Sequence, residues 1–331
     1  MMLARNAESL YWIGRYVERA DDMARLLDVA IHQLLEDTSA DVDGAVRMVI
    51  QVLGLEVPDT DDPLDVWALT EHVAYAKGSA GSVVDLIRAA RENARGAREV
   101  TSSEMWECLN TTYNGLAEAE RRGRRLGPHE FLSYVKNRAA MFAGLADATM
   151  SHDDGYRYLL LGRSVERVDM TIRMLLSRAN DTVNSPAWVN VLVSAGAHDT
   201  YLRTYRGLLD AVNIVQFMLL DRLFPRSVFH ALRVAEQNLA EIEKRPSRVG
   251  EQAEALLLLG RARSSLEFLE PGRLLEGLQE RLLDLQDTCR AVNEAVTAQY
   301  FHVSPYVSWA DARVSDGEDH VIEESELGAG V

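Results

Sequence analysis

The clearest pattern near the amino terminus is a stripe of apolar residues spaced three or four positions apart. Its members are Leu10, Ile13, Val17, Ala20, Ala24 and Leu27. This spacing places them on one face of an α-helix, because each residue advances the helix by about 100°. The pattern predicts a first helix over residues 7–35 that buries this face.

The same pattern returns in the middle of the chain. Residues 14–27 (GRYVERADDMARLL) and residues 162–175 (GRSVERVDMTIRML) are identical at eight of fourteen positions, at a constant offset of 148. Unrelated sequences would agree at roughly one position, so this similarity indicates an internal repeat. Residues 82–93 match residues 227–238 at an offset of 145. Two matched segments in the same order indicate a duplicated fold.

The rest of the chain also shows helical periodicity and no alternating strand pattern. A capping box is predicted at Thr101 and Glu104, and Pro128 and Pro186 are placed to occupy first helical turns. We expect further helical segments at residues 45–53, 64–76, 82 onward, 102–121, 128–150, 151–180, 185 onward, 201–220, 225 onward, 251–267 and 271–300.

The fold class predicted from these patterns is all-α. We expect an internally duplicated helical bundle whose two halves, of roughly six helices each, are related by pseudo-twofold symmetry. The first repeat would span residues 1–150, and the second would span residues 151–305 and pack on the first. Residues 306–331 are acidic and poor in large apolar groups, which predicts a disordered tail.

Composition narrows the possible functions. Apolar residues make up 47% of the chain and charged residues 26%, a balance typical of globular proteins. The net charge of −16 opposes nucleic acid or an anionic membrane as the main partner. The basic cluster at residues 121–125 is interpreted as the end of a helix, where cations complement the helix dipole.

Cysteine content and hydropathy indicate the compartment. Cys108 and Cys289 have no C-x-x-C spacing, so they indicate neither a disulfide framework nor a metal knuckle. Residues 1–8 lack the apolar core of a secretion signal, and no apolar run approaches the roughly 20 residues that a membrane span needs. We therefore expect a cytoplasmic protein without a membrane partner.

The repeated helix carries a Glu-x-x-Asp pair in each copy: Glu18 with Asp21, and Glu166 with Asp169. Carboxylates one turn apart on helices of a bundle can hold a pair of metal ions. Ligation by oxygen alone would favour magnesium, manganese or calcium. One hypothesis is therefore a metal-dependent enzyme in which these four carboxylates bind metal or act as general acid and base.

The favoured alternative is a network of ion pairs. Arg25 follows Asp21 by four residues, and Arg173 follows Asp169 in the same way, a spacing at which opposite charges pair on a helix. The glutamates would meet arginines of the other copy across the pseudo-twofold axis. The candidate partner-binding or substrate-binding residues are Arg15, Glu18, Arg19, Asp21, Arg25, Arg163, Glu166, Arg167, Asp169 and Arg173.

Other sites receive little support from the sequence. The eight histidines are scattered, and no two have the spacing of metal ligands. The sequence contains none of the P-loop, dinucleotide-binding, zinc-protease or serine-hydrolase motifs. We name no catalytic residue and expect no resident cofactor, with a divalent metal only under the enzyme hypothesis.

Several segments resemble the bacterial alpha-E domain family. They are residues 3–21 (LARNAESLYWIGRYVERAD), 144–150 (GLADATM), 162–167 (GRSVER) and 224–228 (FPRSV). The resemblance extends to about residue 300. It implies an all-helical protein in which Glu18 and Glu166 match recurrent glutamates of the family.

The resemblance also implies partners. Family members are typically encoded beside, or fused to, an ATP-grasp-type ligase and a transglutaminase-like protein. The expected function is that of a helical accessory component, without catalysis of its own, in a system that forms or modifies peptide or amide bonds. It would bind a partner protein or substrate through the repeated Glu/Asp/Arg face. The metal-dependent enzyme and a purely structural scaffold stay open as alternatives.

Overall fold

The computed structural model describes residues 2–36, 41–78, 81–179, 187–206, 209–243 and 252–301. The described residues contain thirteen α-helices and no strand, which confirms the all-α prediction. One compact unit covers Met1–Phe301. The tail predicted at residues 306–331 lies outside the described residues.

The described part of the chain before residue 150 has six α-helices, the number predicted. They are α1 (Ala4–Glu36), α2 (Val42–Val52), α3 (Val66–Thr70), α4 (Val83–Gly96), α5 (Ser103–Leu126) and α6 (Pro128–Thr149). Helix α3 continues into a π-helical turn at Glu71–Tyr75. Pro128 occupies the first position of α6, as predicted.

The described residues after 150 form seven α-helices. They are α7 (Asp154–Leu176), α8 (Ala187–Ser194), α9 (His198–Tyr205), α10 (Ala211–Leu220), α11 (Val228–Ile242), α12 (Glu254–Glu267) and α13 (Leu278–Val296). A 3₁₀ turn at Pro271–Arg273 precedes α13, and a π-helical turn at Thr297–Phe301 follows it. The helix start predicted at Ser185 and Pro186 lies outside the described residues.

Three predicted boundaries were wrong. The single helix expected at 201–220 is two helices, because Arg206 adopts a left-handed conformation (φ 51°) that ends α9. The helix expected from residue 271 begins at Leu278, after Gly277 in a left-handed conformation (φ 62°). The cap of α5 is Ser102, whose side chain accepts from the Met105 amide. The Thr101 hydroxyl instead donates to the Ala97 carbonyl.

The matched segments of the repeat begin with the same local structure. Ser82 caps α4 by accepting from the Asp85 amide, and Ser227 caps α11 by accepting from the His230 amide. Each hydroxyl also donates to a carbonyl six residues earlier. Equivalent caps therefore start equivalent helices in the two parts of the chain.

Helices α1 and α7, the two copies of the repeated segment, form the centre of the fold. Helix α1 packs most extensively against α7 and next against α4, while α7 also packs against α11. The predicted apolar stripe of α1 is buried: Leu10, Ile13 and Leu27 are fully inaccessible to solvent. The charged residues of the repeat are therefore held where two central helices meet.

Candidate functional site

Two glycines set the crossing of α1 and α7. A Cβ atom on Gly14 would lie 2.2 Å from the Leu159 carbonyl oxygen, and one on Gly162 would lie 2.0 Å from the Tyr11 carbonyl oxygen. Both distances are far shorter than a permitted contact, so only glycine allows the two backbones to approach this closely. Tyr11 and Leu159 each lie three residues before the glycine of their own copy, which makes the contacts reciprocal.

Glu166 on α7 lies between two arginines of α1. Arg15 donates from Nε to Glu166 Oε2 at 2.7 Å, and Arg19 donates from its Nε to Oε1. Arg15 also donates to Asn293 Oδ1 at 2.7 Å and lies 5.3 Å from the centre of the Trp12 ring. The predicted pairing of Glu166 with arginines of the other copy is confirmed.

Glu18 on α1 has the matching contact with α7. Arg167 donates from Nε to Glu18 Oε1 at 2.6 Å and from Nη2 to Oε2 at 2.9 Å. A second arginine, Arg226, lies 3.2 Å from Glu18 Oε1. The predicted pairing of Glu18 across the two copies is confirmed, whereas the participation of Arg226 was not predicted.

The two aspartates pair along their own helices, as predicted. Arg25 Nε lies 3.0 Å from both carboxylate oxygens of Asp21. Arg173 Nε donates to Asp169 Oδ2 at 2.7 Å. We call the nine predicted residues in these contacts, together with Asp22 and Arg226, the Glu/Arg network. Its nine predicted members are Arg15, Glu18, Arg19, Asp21, Arg25, Glu166, Arg167, Asp169 and Arg173.

The network lies inside the protein and does not form an open face. Glu18 and Asp21 are 5% and 6% exposed, and Glu166 and Asp169 are 1% and 6% exposed. A partner protein could reach only the outer parts of the arginines. The four repeated carboxylates each accept from arginine, so their charges are neutralised within the fold.

Residues 2–301 match the model of a protein family, Alpha-E, described as a predicted alpha-helical domain with a conserved ER motif. The matched range contains the Glu18-Arg19 and Glu166-Arg167 steps, which supply the core of the Glu/Arg network. The chain belongs to the Alpha-E family. In this chain, both Glu-Arg steps lie on the two central helices, α1 and α7.

Relatives of this Alpha-E chain include proteins titled as uncharacterized from Mycobacterium bovis and from two strains of Mycobacterium tuberculosis. Each is 24% identical over 328 aligned positions, which cover 89% of this chain and 36% of the relative. The Alpha-E chain thus spans about a third of the length of the curated relatives it matches. No solved structure matches it significantly.

Two members of the network were missed by the sequence analysis. Asp22 is 1% exposed, and Arg226, in the turn before α11, donates to it and to Asp21, the latter at 2.5 Å. The repeat has Met170 in place of Asp22 and Gly81 in place of Arg226. The signal that could have found this pair is that both charges are present at positions 22 and 226, whereas both are missing from the equivalent positions, 170 and 81.

Electrostatics divide the buried carboxylates into two kinds. Burial opposes the charge of Glu18, but Arg167 and Arg226 outweigh it and lower the pKa to about 2. Burial raises the pKa of Asp22 to about 8; Arg226 lowers it, and the like charges of Glu18 and Asp21 raise it further. Burial likewise opposes the charge of Arg226, but its three carboxylate partners raise the pKa above the usual value. Arg226 is therefore held charged, beside an ionised Glu18 and an Asp22 whose charge is opposed by burial.

Arg163 is the one predicted site residue that joins no ion pair among the described residues. Burial, followed by the like charge of Arg167, lowers the pKa of Arg163 below its usual value. Its Nε is buried without a hydrogen-bond partner. The side chain lines a cavity of about 140 Å³ beside the Glu/Arg network. This is the place where the network meets a space that a ligand could enter.

A smaller polar cluster joins α1 to α6, and no sequence pattern predicts that its members meet. His129 Nδ1 lies 2.9 Å from Asp28 Oδ1, and Lys136 donates to Asp28 Oδ2 at 2.6 Å. Ser133 Oγ lies 3.2 Å from His129 Nε2. Burial opposes the charge of Asp28, but hydrogen bonds from Lys136 and His129 lower its pKa. Ser133 is inside a helix, where neighbouring amides are bonded within the helix and cannot stabilise an oxyanion, so we interpret the cluster as a link between helices.

The described residues show neither a metal-binding cluster nor a membrane span. No group of three or more His, Cys, Asp or Glu side chains in the described part of the chain is arranged to hold a metal ion. No helix in that part is both long and apolar enough to cross a membrane.

Proposed function

We propose that this chain is a helical accessory component of an ATP-grasp-linked system that forms or modifies peptide or amide bonds. In this function it binds a substrate or partner beside the Glu/Arg network, where the outer parts of the arginines can be reached, and performs no catalysis itself. It needs no resident cofactor, acts in the cytoplasm where ATP is available, and has no nucleic-acid or membrane partner. Its proposed partners are the ATP-grasp-type ligase and the transglutaminase-like protein implied by the family resemblance.

The observation that carries this proposal is the neutralisation of all four repeated carboxylates by arginine. A general base must be able to accept a proton from substrate, and a metal ligand must attract a cation, but arginines that hydrogen-bond to a carboxylate lower its affinity for both. Both oxygens of Glu166 already accept from Arg15 and Arg19, and both oxygens of Glu18 accept from Arg167. A binding function beside this network is favoured over chemistry performed by these carboxylates.

We also propose that the two halves are related by a pseudo-twofold axis through the crossing of α1 and α7. The reciprocal contacts of Gly14 and Gly162 support it, as do the reciprocal pairings of Glu18 and Glu166. An experimental structure tests this directly. Helices α1 and α4 should superpose on α7 and α11 by a rotation near 180°, and any rotation far from that value would refute the symmetry.

Co-expression tests the accessory function. The tagged full chain is expressed with the ATP-grasp-type ligase and the transglutaminase-like protein encoded nearest to it, and an unrelated acidic helical protein serves as the control bait. We expect the chain to retain at least one of the two and the control to retain neither. Failure to retain either protein, with all three soluble and expressed, would refute the proposed partnership.

Metal content separates the proposed function from the enzyme alternative. The purified parent chain is incubated with manganese or magnesium, desalted and analysed for bound metal. We expect less than stoichiometric metal. Stoichiometric metal in the parent that is lost in the Glu18→Gln variant would favour the enzyme.

A further inference from the structure

The duplication is broken at one point in its charge pattern. Arg15 and Arg163 occupy equivalent positions, and Arg15 donates to Glu166. The equivalent contact for Arg163 would be with Glu18, yet Glu18 is paired with Arg167 and approached by Arg226. Arg226 thus takes the position on Glu18 that the repeat would give to Arg163.

Arg163 also lacks the hydrogen bond and the aromatic contact that stabilise the charge of Arg15. Arg15 donates to the Asn293 side chain and lies over the Trp12 ring. The residue equivalent to Trp12 is Leu160, which offers no aromatic face.

The carboxylates near Arg163 accept hydrogen bonds from other residues. Asp147, the remaining nearby carboxylate, accepts from the Tyr156 hydroxyl at 2.9 Å. Within the described residues, no hydrogen bond or ion pair of the Arg163 side chain is found, and its Nε is buried. A partly buried cation without an ion-pair partner is unfavourable, so a site that keeps one suits an anion supplied from outside.

The cavity beside Arg163 has one charged side and one apolar side. Its charged side includes Arg163, Arg167 and Arg226 with Glu18 and Asp21. Its apolar side is made by Ala139, Phe142, Ala143 and Ala146 of α6 together with Leu159. The cavity volume is about 140 Å³. A cavity of roughly 150 Å³ holds a molecule the size of benzene, which also approximates a small amino acid.

We propose that this cavity binds one carboxylate group carried on a short aliphatic stem, as in the carboxyl-terminal residue of a peptide or a free amino acid, with Arg163 as its counter-ion. The inference rests on the proposed function and specifies the ligand of that site. The planar guanidinium fork matches a carboxylate, and the alanine-lined wall accommodates the stem.

The charge balance favours a carboxylate over a phosphate. Arg167 and Arg226 are engaged with Glu18, which leaves Arg163 as the one unpaired cation among the described lining residues. One unpaired cation balances the single charge of a carboxylate. A phosphate monoester carries about −1.5 to −2 charges and would lie close to the carboxylates of Glu18 and Asp21.

The test measures thermal stabilisation of the full chain by small probes. N-acetyl-L-alanine and N-acetyl-L-alanine amide have nearly the same shape and differ in charge. We expect the acid to raise Tm progressively with concentration, as a ligand specific to the folded state does, and the amide to leave it unchanged. Equal shifts with both probes, no shift with any carboxylate, or a shift with inorganic phosphate alone would overturn the proposal.

Three variants localise the effect. Arg163→Met should abolish the shift while leaving the Tm of the free chain unchanged or raised, because it removes a partly buried charge that has no ion-pair partner among the described residues. Ala143→Leu should fill the cavity and abolish the shift while leaving all charged residues unchanged. This variant therefore tests the proposal even if Arg163→Met folds poorly. Arg290→Gln, which removes an exposed arginine from α13, should keep the full shift. A shift that persists in both cavity variants would overturn the proposal.

The source of the carboxylate is distinguished by comparing L-alanine with its N-acetyl form. A larger shift with the acylated probe assigns the end of a peptide, and a larger shift with L-alanine assigns a free amino acid; either supports the carboxylate site. These measurements use the chain alone. A chain that shows the shift but retains no ligase would refute the proposed function only, whereas a chain that retains the ligase without the shift would refute this inference only.

Discussion

Replacing Glu18 or Glu166 with glutamine should destabilise the protein strongly. Both oxygens of each glutamate accept from arginine N–H groups. A glutamine side chain has one oxygen and one NH₂ group, so either orientation places a donor against a guanidinium donor. It also leaves an arginine without its counter-charge. Breaking a buried ion pair from one side costs about 3–5 kcal/mol.

The pKa of Glu18 gives a second route to the same magnitude. Its pKa is lowered from 4.5 to about 2. Each pKa unit corresponds to about 1.4 kcal/mol, so the ionised form gains about 3 kcal/mol from the folded environment. The two routes agree within their precision, and both assign the stabilisation to the charge of the carboxylate.

The assay is thermal unfolding of the parent and the variants at neutral pH, with and without magnesium or manganese. At roughly 2 °C per kcal/mol for a chain of this size, each variant should lose roughly 6–10 °C in Tm. Glu118→Gln is the matched control, because Glu118 is exposed and bonds Arg121 one turn away on α5. An exposed pair contributes about 0–1 kcal/mol, so this control should melt close to the parent.

The opposite result would support the metal hypothesis. Carboxylates gathered around an empty metal site repel one another, so neutralising one should leave Tm unchanged or raise it. Unchanged or higher Tm in Glu18→Gln and Glu166→Gln, together with metal-dependent stabilisation of the parent, would refute the ion-pair reasoning. A loss of Tm that does not respond to metal would support it.

Three further predictions follow from the same geometry. Gly14→Ala should lower Tm by many degrees or prevent folding, because the added Cβ would lie 2.2 Å from the Leu159 carbonyl oxygen. Gly144→Ala in α6 is the control: no atom lies within 4 Å of its added Cβ, so this variant should melt at or slightly above the parent. Asp22→Met and Arg226→Met should each lower Tm, and the double variant should lose less than the sum of the two, because the pair is removed together; additive losses would argue against their coupling. Because the folded protein lowers the pKa of Glu18, the stability that this carboxylate contributes is complete above about pH 4.5 and is lost as the pH falls to about 2. Between these pH values, the Tm of Glu18→Gln should therefore fall less than the Tm of the parent.

Much of the network could be predicted from sequence because its contacts follow from helical spacing. Arg25 and Arg173 lie four residues after their aspartates, a spacing that brings the two side chains together on the same helix. Predicting the contacts of Glu18 and Glu166 with the other copy required one further inference. A charged strip repeated beside a buried apolar stripe must lie near the other copy if the two helices pack together.

The sequence analysis was wrong or incomplete where tertiary contacts, and not local sequence, determine a helix end or an ion pair. Helix α9 ends at Arg206 in a left-handed conformation, a choice that the apolar periodicity of residues 201–220 does not reveal. Arg226 is distant in sequence from Asp22, and only the packing of α11 against α7 brings the turn before α11 to α1. A comparison of the positions at which the two copies differ would have identified both residues of this pair.

A count of charges at the two ends of the network shows why the broken repeat matters. At the Glu166 end, the three arginines Arg15, Arg19 and Arg173 exceed the two carboxylates by one. The extra cation there is stabilised by Asn293 and the Trp12 ring.

At the Glu18 end, Asp22 and Arg226 add one acidic and one basic residue, which hydrogen-bond to each other. The residues counted are Glu18, Asp21, Asp22, Arg25, Arg163, Arg167 and Arg226. The added pair changes which arginine is unpaired: Arg226 engages the carboxylates, and Arg163 is left beside the cavity. The two ends of the network therefore differ in one respect: Arg15 is held by Glu166, Asn293 and the Trp12 ring, whereas Arg163 faces the proposed anion site without an ion pair among the described residues.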